Sequence, residues 1–155
     1  MKNKIELAKQ EDVAQLASLC YTSFKESGLE GEYNVAFEKV IQEISDFVFE
    51  HIVLVKRNEE NPKEIDGFIM LQFGIAWWTN EPFLTNLIFF VKPEKRTFSL
   101  ARDLLSEVKK YAIMKDIPVV FDIFSKNDVQ KKIKLLKYLG FKPYGTTLIF
   151  NPRED

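Results

Sequence analysis

The stretch Phe89-Phe90-Val91-Lys92-Pro93-Glu94-Lys95-Arg96-Thr97-Phe98-Ser99-Leu100-Ala101-Arg102 holds the residues best suited to chemistry. An apolar run stops at a proline, a short polar turn follows, and a helix-compatible segment opens with small side chains. A helix N-terminus presents unpaired N–H groups and a partial positive charge, which suits phosphate. Groups beside those amides must be compact, and Thr97, Ser99 and Ala101 are. Arg96 and Arg102 would add cationic support for a pyrophosphate. The plainer alternative is an ordinary strand–turn–helix link with solvated arginines, and the two stand level on these residues alone.

Asp122 is the second residue of interest. It interrupts Val119-Val120-Phe121 and Ile123-Phe124. A carboxylate inside an apolar strand has a raised pKa unless it is paired. A polar edge or a lysine partner is the favoured explanation, with a general base as the sharper one. His51 has no Asp or Ser at motif spacing, and Cys20 sits on an apolar helical face; both read as structural. No His/Cys/Asp cluster has ligand spacing, so no metal is expected. Lys126, Lys131, Lys132, Lys134 and Lys137 read as a solvated face, with Lys126 or Lys131 as candidates for a terminal phosphate. Trp77-Trp78 would sit in a loop, either packed beneath the domain or as a wall of an acceptor site.

The elements that position these residues follow from periodicity. Ile5–Ala8 alternates as a short strand. Val13, Leu16, Ala17, Cys20 and Phe24 mark a first helix ending near Gly28. Phe37 to Val48 is a second helix, with Asn34 as candidate N-cap. Ile52–Lys56 and Gly67–Phe73 are hairpin strands around the polar loop Lys56–Glu64. Phe83–Val91 is apolar enough for a central strand. Leu100 to Ala112 is a third helix, Val119–Phe124 a buried strand, Val129 to Leu136 a fourth helix capped by Gly140, and Phe141–Phe150 a last strand. The order β-α-α-β-β-β-α-β-α-β gives an α/β (α+β) fold: a mixed central sheet with helices on both faces. Phe83–Val91 and Val119–Phe124 should run parallel and splay at their C-terminal ends.

The chain has 155 residues, 22 Lys+Arg against 23 Asp+Glu, and one Cys. That fits one domain spanning 1–155, without an internal disulfide, and the expected compartment is the cytoplasm. The near-zero net charge argues against nucleic acid as a partner. No secretory signal or membrane-spanning stretch is expected. Many of the 14 Phe should be core.

The strand followed by Val91-Lys92-Pro93-Glu94-Lys95-Arg96 and a helix resembles the acyl-CoA signature of the GNAT superfamily of N-acyltransferases. The family loop, Arg/Gln-x-x-Gly-x-Gly/Ala, falls on Arg96-Thr97-Phe98-Ser99-Leu100-Ala101, with Ser99 where a glycine is expected. Lys137-Tyr138-Leu139-Gly140-Phe141 resembles the family's helix-end segment, and the opening Ile5-to-Leu16 is similar too. The resemblance implies acetyl-CoA as co-substrate, bound by residues 96–101 and Arg102. It implies pantetheine along Phe89–Val91, Asn127 as a further contact, and the Phe89 amide as oxyanion donor. The family's carboxylate position falls in Thr85-Asn86-Leu87, which has none, so Asp122 is the candidate base. The family's acid, a tyrosine four residues before the glycine, is Leu136 here. Tyr138 is offset around the helix and cannot simply inherit the role; Tyr144 is a further candidate. The implied acceptor is a small-molecule or peptide amine, with a homodimer as one admissible assembly. The rivals are a non-catalytic acyl-CoA-binding domain of the same fold and an interaction module using the Phe and Trp surface.

Overall fold

A computed structural model of the chain describes residues 5–28, 36–75, 77, 79–123, 128–143 and 145. The elements are β1 (Ile5–Leu7), α1 (Val13–Ser27), α2 (Phe37–Glu50), β2 (Ile52–Arg57), β3 (Ile65–Ile75), β4 (Pro82–Val91), α3 (Phe98–Lys115), β5 (Val119–Val120) and α4 (Val129–Tyr138). Among the described residues the sheet follows chain order, β1-β2-β3-β4-β5. Every pair is antiparallel except β4–β5, which is parallel across the α3 connection.

Alternation along the strands feeds two cores. Val53, Val55, Phe68, Met70 and Phe90 pack with α1 and α2 on one face. Ile52, Leu54, Ile69, Leu71, Leu84 and Val91 pack with α3 and α4 on the other. Covering both faces is why these strands read as continuous apolar runs. The expected termini of α1 and α4 are met by glycines in the left-handed region: Gly28 has φ +80 and Gly140 has φ +89. No helix among the described residues is long and apolar enough to cross a membrane.

β1 is tied down by charge. Arg57 donates to both Asp12 carboxylate oxygens, at 2.6 and 2.8 Å, and to Glu6 at 3.0 Å. Burial pushes the Asp12 carboxyl up, but the Arg57 guanidinium and the Lys9 N–H outweigh it and hold the pKa below the usual carboxylate value.

Three expectations change. The strand expected over Val119–Phe124 pairs only at Val119 and Val120, for a reason given below. Ala36, rather than Asn34, stands at the N-cap of α2, and Asn34 lies outside the described residues. No strand is assigned at 141–143, and most of the last expected strand, 141–150, lies outside the described residues with Tyr144.

Candidate functional site

The site begins with one extra residue in β4. Met70 pairs with Ile88 and Leu71 with Asn86, so Leu87 has no partner on β3 and forms a β-bulge. The bulge switches the strand's parity. Leu84 before it and Phe89 and Val91 after it face the α3–α4 side, while Ile88 and Phe90 face α1. Lys92 N bonds Asp66 O on β3. Alternation therefore turns the N–H and C=O of Phe89 and Val91 away from β3, toward the gap beside β5.

That gap is held open by Asn86, a 5% exposed residue. Its amide donates to Asp122 O at 2.9 Å and accepts from Asp122 N at 2.7 Å. A side chain thus takes the place of a neighbouring strand's peptide group. This is why regular pairing ends at Val120: beyond it the chain bonds a side chain standing off from β4, and the strands separate. Phe89 meets Phe121 edge-on across the gap, with centroids 5.9 Å apart.

A cavity of about 110 Å³ occupies the opening. Ser23, Phe24 and Ser27 of α1 line it from one face of the sheet, and Leu105, Leu135 and Leu136 from the other, so it passes between the strands. Leu87, Ile88 and Phe89 form one wall, and Phe121, Asp122 and Ile123 the opposite wall. Phe89 and Asp122 therefore share this space. Thr85 Oγ1 approaches Asp122 Oδ2 at a long 3.5 Å.

The turn leading away from β4 is a 3-10 segment, Pro93–Lys95. Thr97 is the N-cap of α3, its hydroxyl accepting from Leu100 N at 3.2 Å. Ala101 N bonds Thr97 O at 3.3 Å. The amides of Leu100 and Ala101, expected on a phosphate, are thus engaged within the helix. Those of Phe98 and Ser99 stand at its open end. Leu100 instead packs toward Gly67, where an added Cβ would lie 3.3 Å from Leu100 Cδ2 and 3.1 Å from Phe90 O.

Arg96 is held rather than extended. Its Nε donates to Val91 O at 2.9 Å, its Nη2 pairs with Glu26 of α1, and its guanidinium lies 5.6 Å from the Phe90 ring centroid. Arg102 folds back on Asp103 at 2.9 Å. Tyr138 does not join Phe89 and Asp122; it is 72% exposed and packs edge-on against Phe98 at 5.7 Å. Trp77 is exposed in the β3–β4 turn and does not line the cavity; Trp78, Lys126 and Asn127 lie outside the described residues. His51 packs on Phe47 at 4.4 Å, and Cys20 Sγ lies 4.0 Å from Met70 Sδ.

Lys132 lines the cavity, whereas Lys131 pairs with Asp128 at 3.0 Å. Burial holds the Lys132 ammonium below the usual lysine pKa, against the opposing charge of Asp128, and Arg96 adds to the lowering. The sequence does carry a signal for this lysine: Lys132, Leu135 and Leu136 share a helix face at i, i+3 and i+4. Asn86 was legible only as a polar residue within an apolar strand. Glu26 and the α1 residues on the cavity had no local signal.

No family model matches the chain, and no curated protein matches it by sequence. Solved structures do match. A "possible acetyltransferase" from Clostridium difficile 630 superposes with TM-score 0.73 at 16% identity, over 96% of each chain. A predicted acetyltransferase with acetyl-CoA from Clostridium acetobutylicum gives TM-score 0.72 at 16% identity, covering 98% of this chain and 97% of that one. AAC(6')-Iy, in complex with a bisubstrate analogue of CoA and acetylneamine, gives 0.72 at 12% identity over 99% of each chain. With the bulged fourth strand, the parallel partner that leaves it and the capped helix between them, the chain has the fold of the GNAT acetyltransferases.

Proposed function

We propose that this protein is an N-acyltransferase that moves an acetyl group from acetyl-CoA to a primary amine by direct attack in a ternary complex, in the cytoplasm. The observation that carries the reading is the bulge at Leu87, which turns the Phe89 N–H toward a cavity whose opposite wall holds Asp122. The thioester oxygen gains charge as the amine adds, and the Phe89 N–H is the donor that meets it. Asp122 takes the proton the amine loses, directly or through water. The C–S bond then breaks, giving the amide and the CoA thiolate. Tyr138 stands away from the cavity and Leu136 fills the family's tyrosine position, so no side-chain acid is assigned among the described residues and the thiolate takes its proton from solvent. Phe98 and Ser99 N–H groups receive the pyrophosphate, and Val91 and Phe89 offer backbone groups to pantetheine.

The lack of an assigned acid among the described residues favours the second reading, an acyl-CoA-binding protein without turnover. One experiment separates them. Thermal unfolding with and without acetyl-CoA tests binding, because a ligand specific for the native state raises apparent stability. Release of free thiol with an amine panel that includes aminoglycosides tests transfer. The expected result is stabilisation together with thiol release, the latter lost in Asp122→Asn while stabilisation persists. Stabilisation without release on any amine supports the binding protein. No stabilisation refutes both and leaves the interaction module.

A further inference from the structure

Three elements converge beside the cavity on one small group of charges. Glu26, near the C-terminal end of α1, places its carboxylate on Nη2 of Arg96, which precedes α3. The guanidinium is fixed on another edge by Val91 O at 2.9 Å and from below by the Phe90 ring. Lys132 of α4 stands within the fields of Glu26, Arg96 and Asp128. The Arg96 guanidinium on the Glu26 carboxylate, with Lys132 on the wall of the neighbouring cavity, makes an anion seat, and here a side chain fills it. A carboxylate and a phosphate offer the same oxygen geometry to a guanidinium. The seat lies just before the Phe98 and Ser99 amides at the open end of α3.

We infer that Glu26 is a resident competitor for the phosphates of CoA and sets the affinity of the Arg96–Lys132 seat for phosphorylated ligands. This rests on the acyl-CoA reading above. A phosphate reaching Arg96 must displace the Glu26 carboxylate or lie beside it, and like charges at that distance oppose binding. Glu26 thereby makes the seat selective, because a singly charged anion gains little by displacing it while a diphosphate also engages the helix amides.

The test is calorimetric titration of CoA into the wild type, Glu26→Gln, Arg96→Ala and the double variant. Glu43→Gln, an exposed site on α2, controls for net charge. Glu26→Gln should bind CoA about three- to tenfold more tightly. The gain should vanish when Arg96 is alanine and be absent from Glu43→Gln. The Glu26–Arg96 pair is partly exposed, at 35% and 48%, so unliganded stability should change little. If the wild type binds CoA and Glu26→Gln binds it equally or more weakly, the inference is overturned and the acyl-CoA reading stands. An equal gain in Glu43→Gln also overturns it. If no variant binds CoA, the acyl-CoA reading falls and takes this inference with it.

Discussion

Replacing Asn86 by leucine removes an amide that stands in for a strand. Its two hydrogen bonds, at 2.9 and 2.7 Å, satisfy the carbonyl and N–H of Asp122, and the residue is 5% exposed. Leucine fills a similar volume, so the cost is polar rather than a cavity. Each hydrogen bond contributes a net of about 1 kcal/mol, and each backbone group left unsatisfied adds a penalty scaled by how far water is excluded. The sum is about 2–4 kcal/mol, or a fall of roughly 5–15 °C in Tm for a chain of this size. Asn86→Asp keeps the size and the acceptor but loses the donor, and sets a carboxylate against the Asp122 carbonyl. It should match the leucine variant at neutral pH and recover part of the loss as the new carboxyl protonates. Urea unfolding at constant m measures both. If Asn86→Leu stays within about 0.5 kcal/mol of wild type, Asp122 finds other partners, and the amide is not what separates the two strands.

Further expectations follow from the charges and the one thiol. Arg57→Met leaves Asp12, 4% exposed, without its guanidinium and should cost about 3–5 kcal/mol. Because the folded pKa of Asp12 lies below its unfolded value of about 3.9, its contribution is full above that pH and is lost as pH falls through the folded pKa. That acid limb should shrink in Arg57→Met, which urea titrations across acidic pH will show. Ser99→Glu should abolish CoA binding while leaving Tm unchanged or slightly raised, since an acid suits the first turn of a helix; retained affinity by calorimetry would remove the helix amides from the site. Cys20 is fully buried and its thiol is pushed up to about 12, so a disulfide reagent should react only as the protein unfolds.

Much of the fold was legible because it is local. Helical spacing marked α1 and α3, and Gly28 and Gly140 marked helix ends by their tolerance of positive φ. Pro93 and the compact residues after it announced α3, which Thr97 does cap. What periodicity could not show was the bulge: one unpaired residue at Leu87 reverses which side chains of β4 face which core, and no composition signal accompanies it. The length of β5 was misjudged because Val119–Phe124 is apolar at every position but Asp122, whereas pairing is ended by a side chain 36 residues earlier. The ion pair that ties α1 to the turn before α3 was illegible for the same reason, since Glu26 and Arg96 meet across 70 residues of sequence. Conversely, the resemblance placed Leu100 and Ala101 on a ligand, and the helix itself uses their amides.

The order of the sheet has a consequence for how the molecule assembles and opens. β2, β3 and β4 form a meander joined by short connections, each closing with little loop entropy. Among the described residues only β5 joins in parallel, across a full helix, and by two residue pairs. The meander with α1 and α2 should therefore form as an early unit, and the segment through α3, β5 and α4 should dock afterwards. The cavity between β4 and Asp122 is then the seam between the two. Seams open at lower free energy than the units they join, so amides flanking this one should exchange ahead of those in β3. A ligand lying across the seam fastens the late unit to the early one, and resistance to proteolysis then becomes a direct report of occupancy.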